Sequence, residues 1–484
     1  MKDTYVLSFD FGTSGMKMSL VDRSLHVVDV VKRDYDFQSP KPEWAQVNPS
    51  IFIQSITETV QLMHERRKKE MDCLCALVFC TQWKGLIPVD ERGSALYDAI
   101  LWLDKRAQPQ AKNLNDKLGF NAYTAADCIP KIIWLRENLP EIYERTYRFL
   151  EINSFIKCFA TGVMVIDETE HYGKSFIDEI QKHMDAAIKI SEIPHDKIPN
   201  IIHSNDVAGA LTQQAASTFG LLPGLPVYGG LCDIPAVALG SAAFRVGQSH
   251  IYLGSSGWLA TILPTKELPR CKRTAVFLND SVIRLDGLEA VGLARNWALH
   301  LLFTNDQIND ERFIKMLDDS IESFQSNLLS IPFIYKENPP LPEKVFGVFW
   351  HMTASDEKKD FYHAVLEGIC YLIRYKLESL TREFEYEYSE LTVCGGGATN
   401  YGWIQMLSNI TKKQIQIVSN PQYVGTIGSA ALIFKDVVPS NETFSDIGQT
   451  FKPDTEKMLR FDKKYLEFLR IYNMVVANEE NITL

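Results

Sequence analysis

Apolar strand signals alternating with amphipathic helical segments, a strand-turn-strand unit that occurs twice, and a length of 484 residues together predict an α/β chain of two related domains. Tyr5 to Phe9 reads as a buried strand interrupted only by Ser8, followed by the turn Gly12-Thr-Ser-Gly15 and a second strand from Met16 to Val21. Asn48-Pro49 offers a cap and a first-turn proline, after which Phe52, Ile56, Val60 and Met63 recur at helical spacing. Cys75 to Cys80 and Ala99 to Leu103 read as strands, and Lys131 to Asn138 as a helix that stops before Pro140. Asp233-Ile-Pro opens an apolar helix that continues to Leu239. The hairpin then returns at Ser249 to Ile262 around Gly254-Ser-Ser-Gly257, which puts a domain boundary near residues 240 to 248. Phe361 to Leu380 has long helical periodicity, and Leu391 to Cys394 is a short strand running into Gly395-Gly-Gly397. Helices follow from about Tyr401 to Ile410 and around Ile427 to Phe434.

Composition narrows the function classes. The formal net charge of -11 argues against general nucleic-acid affinity, and Arg66-Arg-Lys-Lys69 reads as a solvated helix end. No run of residues is long and apolar enough for a membrane helix, and Asp3 precedes any stretch that could serve as a signal-peptide core, so a cytoplasmic protein without membrane partners is expected. The nine cysteines are scattered without Cys-x-x-Cys pairs, which indicates free thiols.

Chemistry concentrates at the turns. Asp10-Phe-Gly-Thr-Ser-Gly15 supplies glycines for a tight turn and hydroxyls and amides suited to phosphate oxygens, which makes Gly12, Thr13 and Ser14 candidate phosphate-binding residues. Asp10 needs a cation between itself and a polyphosphate, and is therefore a candidate magnesium partner, directly or through water. Lys17 either reaches a phosphate or lies on the strand surface. Gly254, Ser255 and Ser256 repeat the first loop, and two such tips facing each other would clasp a phosphate chain. Gly395, Gly396, Gly397 and Ala398 lie between a strand and a helix, where the backbone can approach a nucleotide; the segment has neither the Gly-x-Gly-x-x-Gly spacing nor a Walker lysine. Asp233 reads as a general base or as a helix cap, and one residue can be both.

In this order and at these separations the segments resemble the FGGY family of carbohydrate kinases. Leu101-Trp-Leu-Asp-Lys-Arg106 is similar to the family's Leu-Trp-x-Asp-x-Arg, Pro130-Lys-Ile-Ile-Trp134 to its Pro-Lys-Leu-Leu-Trp helix, and Gly428-Ser-Ala-Ala431 to its closing Gly-x-Ala motif. The resemblance implies two ribonuclease-H-like domains of the actin-like ATPase superfamily, 1–244 and 245–484, with a cleft that takes ATP and sugar. It implies phosphoryl transfer from ATP with Mg2+, Asp233 as base, the Gly395 to Asn400 turn as the adenosine site, and a homodimer. Thr81-Gln-Trp-Lys-Gly85 sits where xylulose kinases carry Gln-Met-His-Gly, so Gln82, Trp83 and Lys84, with Asp104 and Asp233, become candidate sugar contacts. A ketopentose such as xylulose is the first expectation. Lys84 leaves an acid sugar such as gluconate open, and another ketose or polyol remains an alternative. Leu231-Cys232 replaces the family's Gly-Gly before the catalytic Asp, and Lys336-Glu-Asn-Pro-Pro340 lacks the arginine of its Gly-Glu-Arg-x-Pro, which keeps a catalytically weakened sugar- and nucleotide-binding regulator as the competing class.

Overall fold

The computed structural model describes residues 4–170, 172–270, 274–277, 281–288, 290–334, 347–384, 390–434 and 447–477; the Lys336 to Pro340 motif lies outside them. The chain divides into two compact units: Met1–Gly240 with Ala275–Asp280 and Tyr423–Phe444, and Ser241–Thr274 with Ser281–Gln422 and Ser445–Leu484.

The first unit is built on a seven-stranded sheet. Strands β1 (Tyr5–Phe11), β2 (Gly15–Asp22) and β3 (Val27–Asp34) form an antiparallel meander, and β1 pairs in parallel with β4 (Leu74–Thr81). Beyond β4 lie β5 (Val207–Ala210) at the edge and β6 (Pro226–Tyr228), while the short β7 (Leu231–Cys232) pairs with the end of β4. The central strands are buried on both faces and therefore read as continuous apolar runs. Phe9 packs on Phe79 at 5.2 Å between ring centroids, and Phe11 meets Phe52 of helix α1 (Ser50–Arg66) edge-on at 5.8 Å. These rings are fully buried, each worth about 1.5–3 kcal/mol relative to exposure. Helix α1 starts one residue later than the proline signal suggests, with Pro49 as its cap residue and the Asn48 carboxamide accepting from the Ser50 amide at 3.0 Å. The predicted strand from Ala99 to Leu103 shrinks to Ala99–Ile100, because the chain then turns to bury Asp104 and Arg106.

The second unit repeats the pattern. Strands β8 (Ser249–Leu253), β9 (Gly257–Pro264), β10 (Thr274–Val276) and β11 (Ser281–Leu288) precede β12 (Glu390–Cys394), β13 (Gln414–Val418) and β14 (Ile447–Phe451). Their order is β10-β11-β9-β8-β12-β13-β14. Here β8, β9 and β11 form the meander, β12 and β13 run parallel to β8, and β14 closes an antiparallel edge. Position for position this matches β1, β2, β3, β4, β6 and β5, so the repeated hairpin is the visible part of a repeated fold. Among the described residues no helix is long and apolar enough to cross a membrane, and the described cysteines are free thiols, with Cys73 exposed.

After α1 come α2 (Cys128–Asn138), α3 (Ile152–Thr161), α4 (Asp233–Gly240), α5 (Gly292–Leu302), α6 (Lys358–Phe384), α7 (Tyr401–Thr411) and α8 (Val424–Ala431), and the two short helices α4 and α8 pack on each other beside the β1–β4 pair. Ser8 and Ser19 bond Thr426 at its carbonyl and hydroxyl, each at 2.7 Å. The helices touch through backbone: a methyl on Gly428 would run into the Ala236 carbonyl, and one on Gly240 into that of Val424. Gly428→Ala should therefore destabilise the chain by about 1–3 kcal/mol in urea or thermal unfolding, as overpacking of a rigid contact does. An unchanged midpoint would show that the two helices separate freely.

Candidate active site

Strand register brings the chemistry of the first unit together. Asp10 of β1 lies opposite Cys80 of β4, which lies opposite Leu231 of β7; one step on, Phe11, Thr81 and Cys232 are aligned. The chain leaves β7 directly into Asp233, the first residue of α4. Both carboxylates thus sit at the carboxyl ends of parallel strands that flank β4 on either side, the edge where open α/β sheets bind ligands.

Their environment sets their protonation. Asp233 is half-buried; desolvation and then repulsion from Asp10 push its pKa up to about 7, against the opposing bond from the Ile234 amide at 2.9 Å. Asp10 is also raised by burial, while Lys17, its partner across the hairpin, and the Cys80 thiol at 3.7 Å pull the other way. The Cys80 thiol is held well above its ordinary value by burial and by both carboxylates. Gly425 stands so close to Asp10 that a methyl there would lie 2.7 Å from Oδ2.

A buried polar cluster holds the segment that carries Asp233. The Cys232 amide donates to the Thr169 hydroxyl at 2.8 Å, and the Thr169 amide to Asp167 at 2.9 Å. Asn153 on α3 bridges Asp167 and the Gly229 carbonyl at 3.0 and 3.2 Å, and Lys157 donates to the same carbonyl at 2.7 Å. Lys157 also lies 3.4 Å from Asp167 and 3.6 Å from Glu170. Burial lifts the Glu170 carboxyl to about 7, with Lys157 opposing and Asp167 adding to the rise. Gly230, at φ +79°, has no room for a side chain beneath the Phe79 carbonyl. Leu231 and Cys232 are buried, so they fill the core beside Asp233. Sequence reasoning missed this cluster; its one signal was a lysine and two amide or hydroxyl side chains inside the apolar run from Ile152 to Ala160.

In the first loop, the Gly12 amide closes the turn on the Gly15 carbonyl at 2.9 Å. The Gly12 carbonyl is taken by the Tyr35 hydroxyl at 2.6 Å and by Gln82 at 3.2 Å. The Thr13 hydroxyl accepts from the Trp102 indole at 3.0 Å and donates to Gln82 at 3.2 Å, so its proton is engaged within the protein; Ser14 at the tip is exposed. Gln82 thereby joins the phosphate loop to the following segment. There Lys84, at φ +67°, is held by Glu151 at its amide (2.7 Å) and by Lys131 at its carbonyl (2.6 Å), while the Trp83 indole donates to the Glu170 carbonyl at 3.1 Å.

The expectation that Asp104 touches the sugar is corrected. Its side chain has no exposed surface: it accepts from the Ala45 amide at 2.6 Å and the Arg106 amide at 2.8 Å and pairs with the Arg106 guanidinium at 2.8 Å. Arg106 in turn lies 3.8 Å from the Trp44 ring centroid. A buried, fully bonded pair of this kind is structural.

In the second unit, the Gly254 and Ser255 carbonyls accept from the Gly292 and Leu293 amides at the start of α5, at 2.8 and 3.0 Å, which fixes the loop while Ser255 stays exposed. Gly395, at φ +90°, lies against the β8 backbone, where a methyl would meet the Leu253 carbonyl at 2.7 Å. Gly396 opens to free space, Gly397 is packed on Leu253 and Trp403, and Ala398 is buried. The Asn400 carbonyl oxygen caps α7 by accepting from Trp403 at 3.0 Å, and its buried amide nitrogen has no partner among the described residues. An orphaned donor beside an open glycine turn fits a nucleotide. No cluster of three or more His, Cys, Asp or Glu side chains placed to hold a metal exists among the described residues.

Duplicated sheets of this topology, each with a glycine hairpin, give the chain a two-domain α/β fold of the actin-like ATPase kind. The chain belongs to the FGGY family of carbohydrate kinases, whose N-terminal domain matches residues 5–240 and whose C-terminal domain matches residues 286–435. It is similar to the xylulose kinase of Bacillus subtilis, 25% identical with 97% of this chain and 96% of the relative covered, and to that of Lactococcus lactis, 24% identical over the same shares. Among solved structures, gluconate kinase from Lactobacillus acidophilus superposes with a TM-score of 0.84 at 18% identity over 100% of both chains. Xylulose kinase from Rhodospirillum rubrum gives 0.81 at 21%, covering 97% of this chain and 99% of that one. The chain is an ATP-dependent sugar kinase.

The raised Asp233 carries a stability cost above neutrality. A group whose folded pKa exceeds its unfolded value stabilises the fold in its protonated form, and that contribution is lost as pH rises through about 7. Asp233→Asn, which mimics the neutral acid, should therefore raise the melting temperature relative to the parent by clearly more at pH 8 than at pH 5, because the contribution falls away between about 4 and about 7. Equal differences at both pH values would show that Asp233 ionises normally.

Proposed function

We propose that this chain phosphorylates D-xylulose to xylulose 5-phosphate, with Asp233 as the general base. The observation that carries the reading is a carboxylate at the strand ends whose pKa of about 7 matches a base working near neutrality. Asp233 accepts the proton of the sugar hydroxyl as that oxygen bonds to the γ-phosphorus of ATP and the bond to the β-phosphate oxygen breaks; the proton ends on Asp233. Gly12, Thr13, Ser14 and Lys17, with Gly254, Ser255 and Ser256, hold the phosphates, and Gly395 to Ala398 with Asn400 hold the adenosine. Magnesium held beside Asp10 supplies the positive charge that phosphate and two carboxylates lack. Gln82, Trp83 and Lys84 line the sugar site, supported by Gln82's bonds to the Gly12 loop and by the single residue that separates Trp83 from Thr81, the partner of Cys232. Xylulose is favoured by the curated relatives, which are xylulose kinases over nearly the whole chain. The reading includes a cytoplasmic homodimer, for which family resemblance is the support.

ADP release across xylulose, ribulose, gluconate and glycerol tests the substrate, and xylulose should give the highest kcat/KM. Asp233→Asn should lower kcat about 10²–10⁴-fold with the xylulose KM little changed; turnover at the parent rate would remove Asp233 as base. In the parent, log kcat/KM should fall as pH drops below about 7, since the base must be ionised. Asp10→Ala should raise the magnesium concentration needed for half-maximal rate, and an unchanged requirement would contradict a metal role.

A further inference from the structure

The basic groups of the sugar segment are already neutralised from within. Lys84 Nζ lies 2.6 Å from Asp127 Oδ1 and 4.3 Å from the Trp83 ring centroid. The other oxygen of Asp127 is fixed by the Thr124 amide at 2.7 Å and the Thr124 hydroxyl at 2.8 Å. Burial alone would raise the Asp127 carboxyl, but the Lys84 charge and these bonds outweigh it and hold it below the usual range, so the pair is ionic. Lys131 on α2 is fully buried and donates to the carbonyls of Lys84, Leu101 and Ile100 at 2.6, 2.9 and 3.3 Å. Among the described residues three acids also lie around the segment: Glu151 accepts from the Lys84 amide, the Glu170 carbonyl accepts from the Trp83 indole, and Asp233 follows Cys232, the partner of Thr81.

We infer that Asp127 is the specificity-determining residue of this site: by holding Lys84 it removes the cation that a sugar carboxylate would need, and restricts the site to neutral polyhydroxy substrates. The inference rests on the reading of Gln82 to Lys84 as the sugar segment. An aldonate entering here meets no uncommitted ammonium from Lys84 or Lys131, whereas the hydroxyls of a neutral sugar can bond polar groups of the segment and its apolar side can stack on the Trp83 face. Replacing Asp127 by Asn keeps the shape and frees Lys84 to bond a carboxylate.

The test compares kcat/KM for xylulose and gluconate in the parent, Asp127→Asn, Asp127→Glu and Lys84→Gln, with equilibrium binding of both sugars measured by calorimetry. The gluconate-to-xylulose ratio should rise about tenfold in Asp127→Asn, the scale of one charge-assisted bond, chiefly through a lower gluconate KM. Asp127→Glu should keep the parent ratio, and adding Lys84→Gln to Asp127→Asn should cancel the gain. A ratio within about twofold of the parent in Asp127→Asn, or a parent that prefers gluconate, would overturn the inference. Should Asp127→Asn fail to fold, Lys84→Gln alone decides: a selective loss of gluconate binding overturns the inference, and an unchanged ratio upholds it. A parent that turns over no sugar yet binds xylulose above gluconate would remove the kinase reading and leave this inference standing.

Discussion

Two carboxylates placed close together at the ends of parallel strands, with burial on one side and little compensating charge, are the constraint around which the first unit is arranged. Burial raises both carboxyls, and repulsion from Asp10 adds to the rise on Asp233. The fold holds this arrangement because neither residue can move away. Asp10 lies within a strand paired on both sides, and Asp233 is pinned between a strand laddered to β4 and a helix whose backbone touches α8.

The surrounding structure serves that pair by removing alternatives. Gly229 and the Cys232 amide are bound by Asn153, Lys157 and Thr169, so the segment before Asp233 has one conformation. Gln82 bonds both the Gly12 carbonyl and the Thr13 hydroxyl, which couples the phosphate loop to the sugar segment through one carboxamide. The Lys84 backbone is gripped at both its amide and its carbonyl, so the left-handed turn presents Trp83 and the lysine side chain in fixed positions.

Much of this was legible in the sequence, and for local reasons. The hairpins at Gly12 and Gly254 announce themselves because a strand-period apolar run meets a turn that only small residues close. The start of α4 at Asp233 is legible from the Asp-Ile-Pro order, and the two-domain duplication from the repeat of one loop. What stayed hidden depends on distant contacts. Nothing near Asn153, Lys157 or Asp167 in sequence reveals that Asn153 and Lys157 meet Asp167 and the Gly229 carbonyl, since separate elements bring them there. The packing of residues 423–434 with the first unit was equally invisible, because it rests on glycines meeting backbone across nearly two hundred residues of intervening chain.

The most direct test of the account is the ionisation of Asp233 itself, followed by carboxyl carbon resonances of aspartate-labelled protein without nucleotide or metal, with Asp233→Asn to assign the signal. A midpoint near 7 that falls when Asp10 is replaced by Asn is the result the structure predicts. A midpoint in the ordinary aspartate range, indifferent to Asp10, would contradict it.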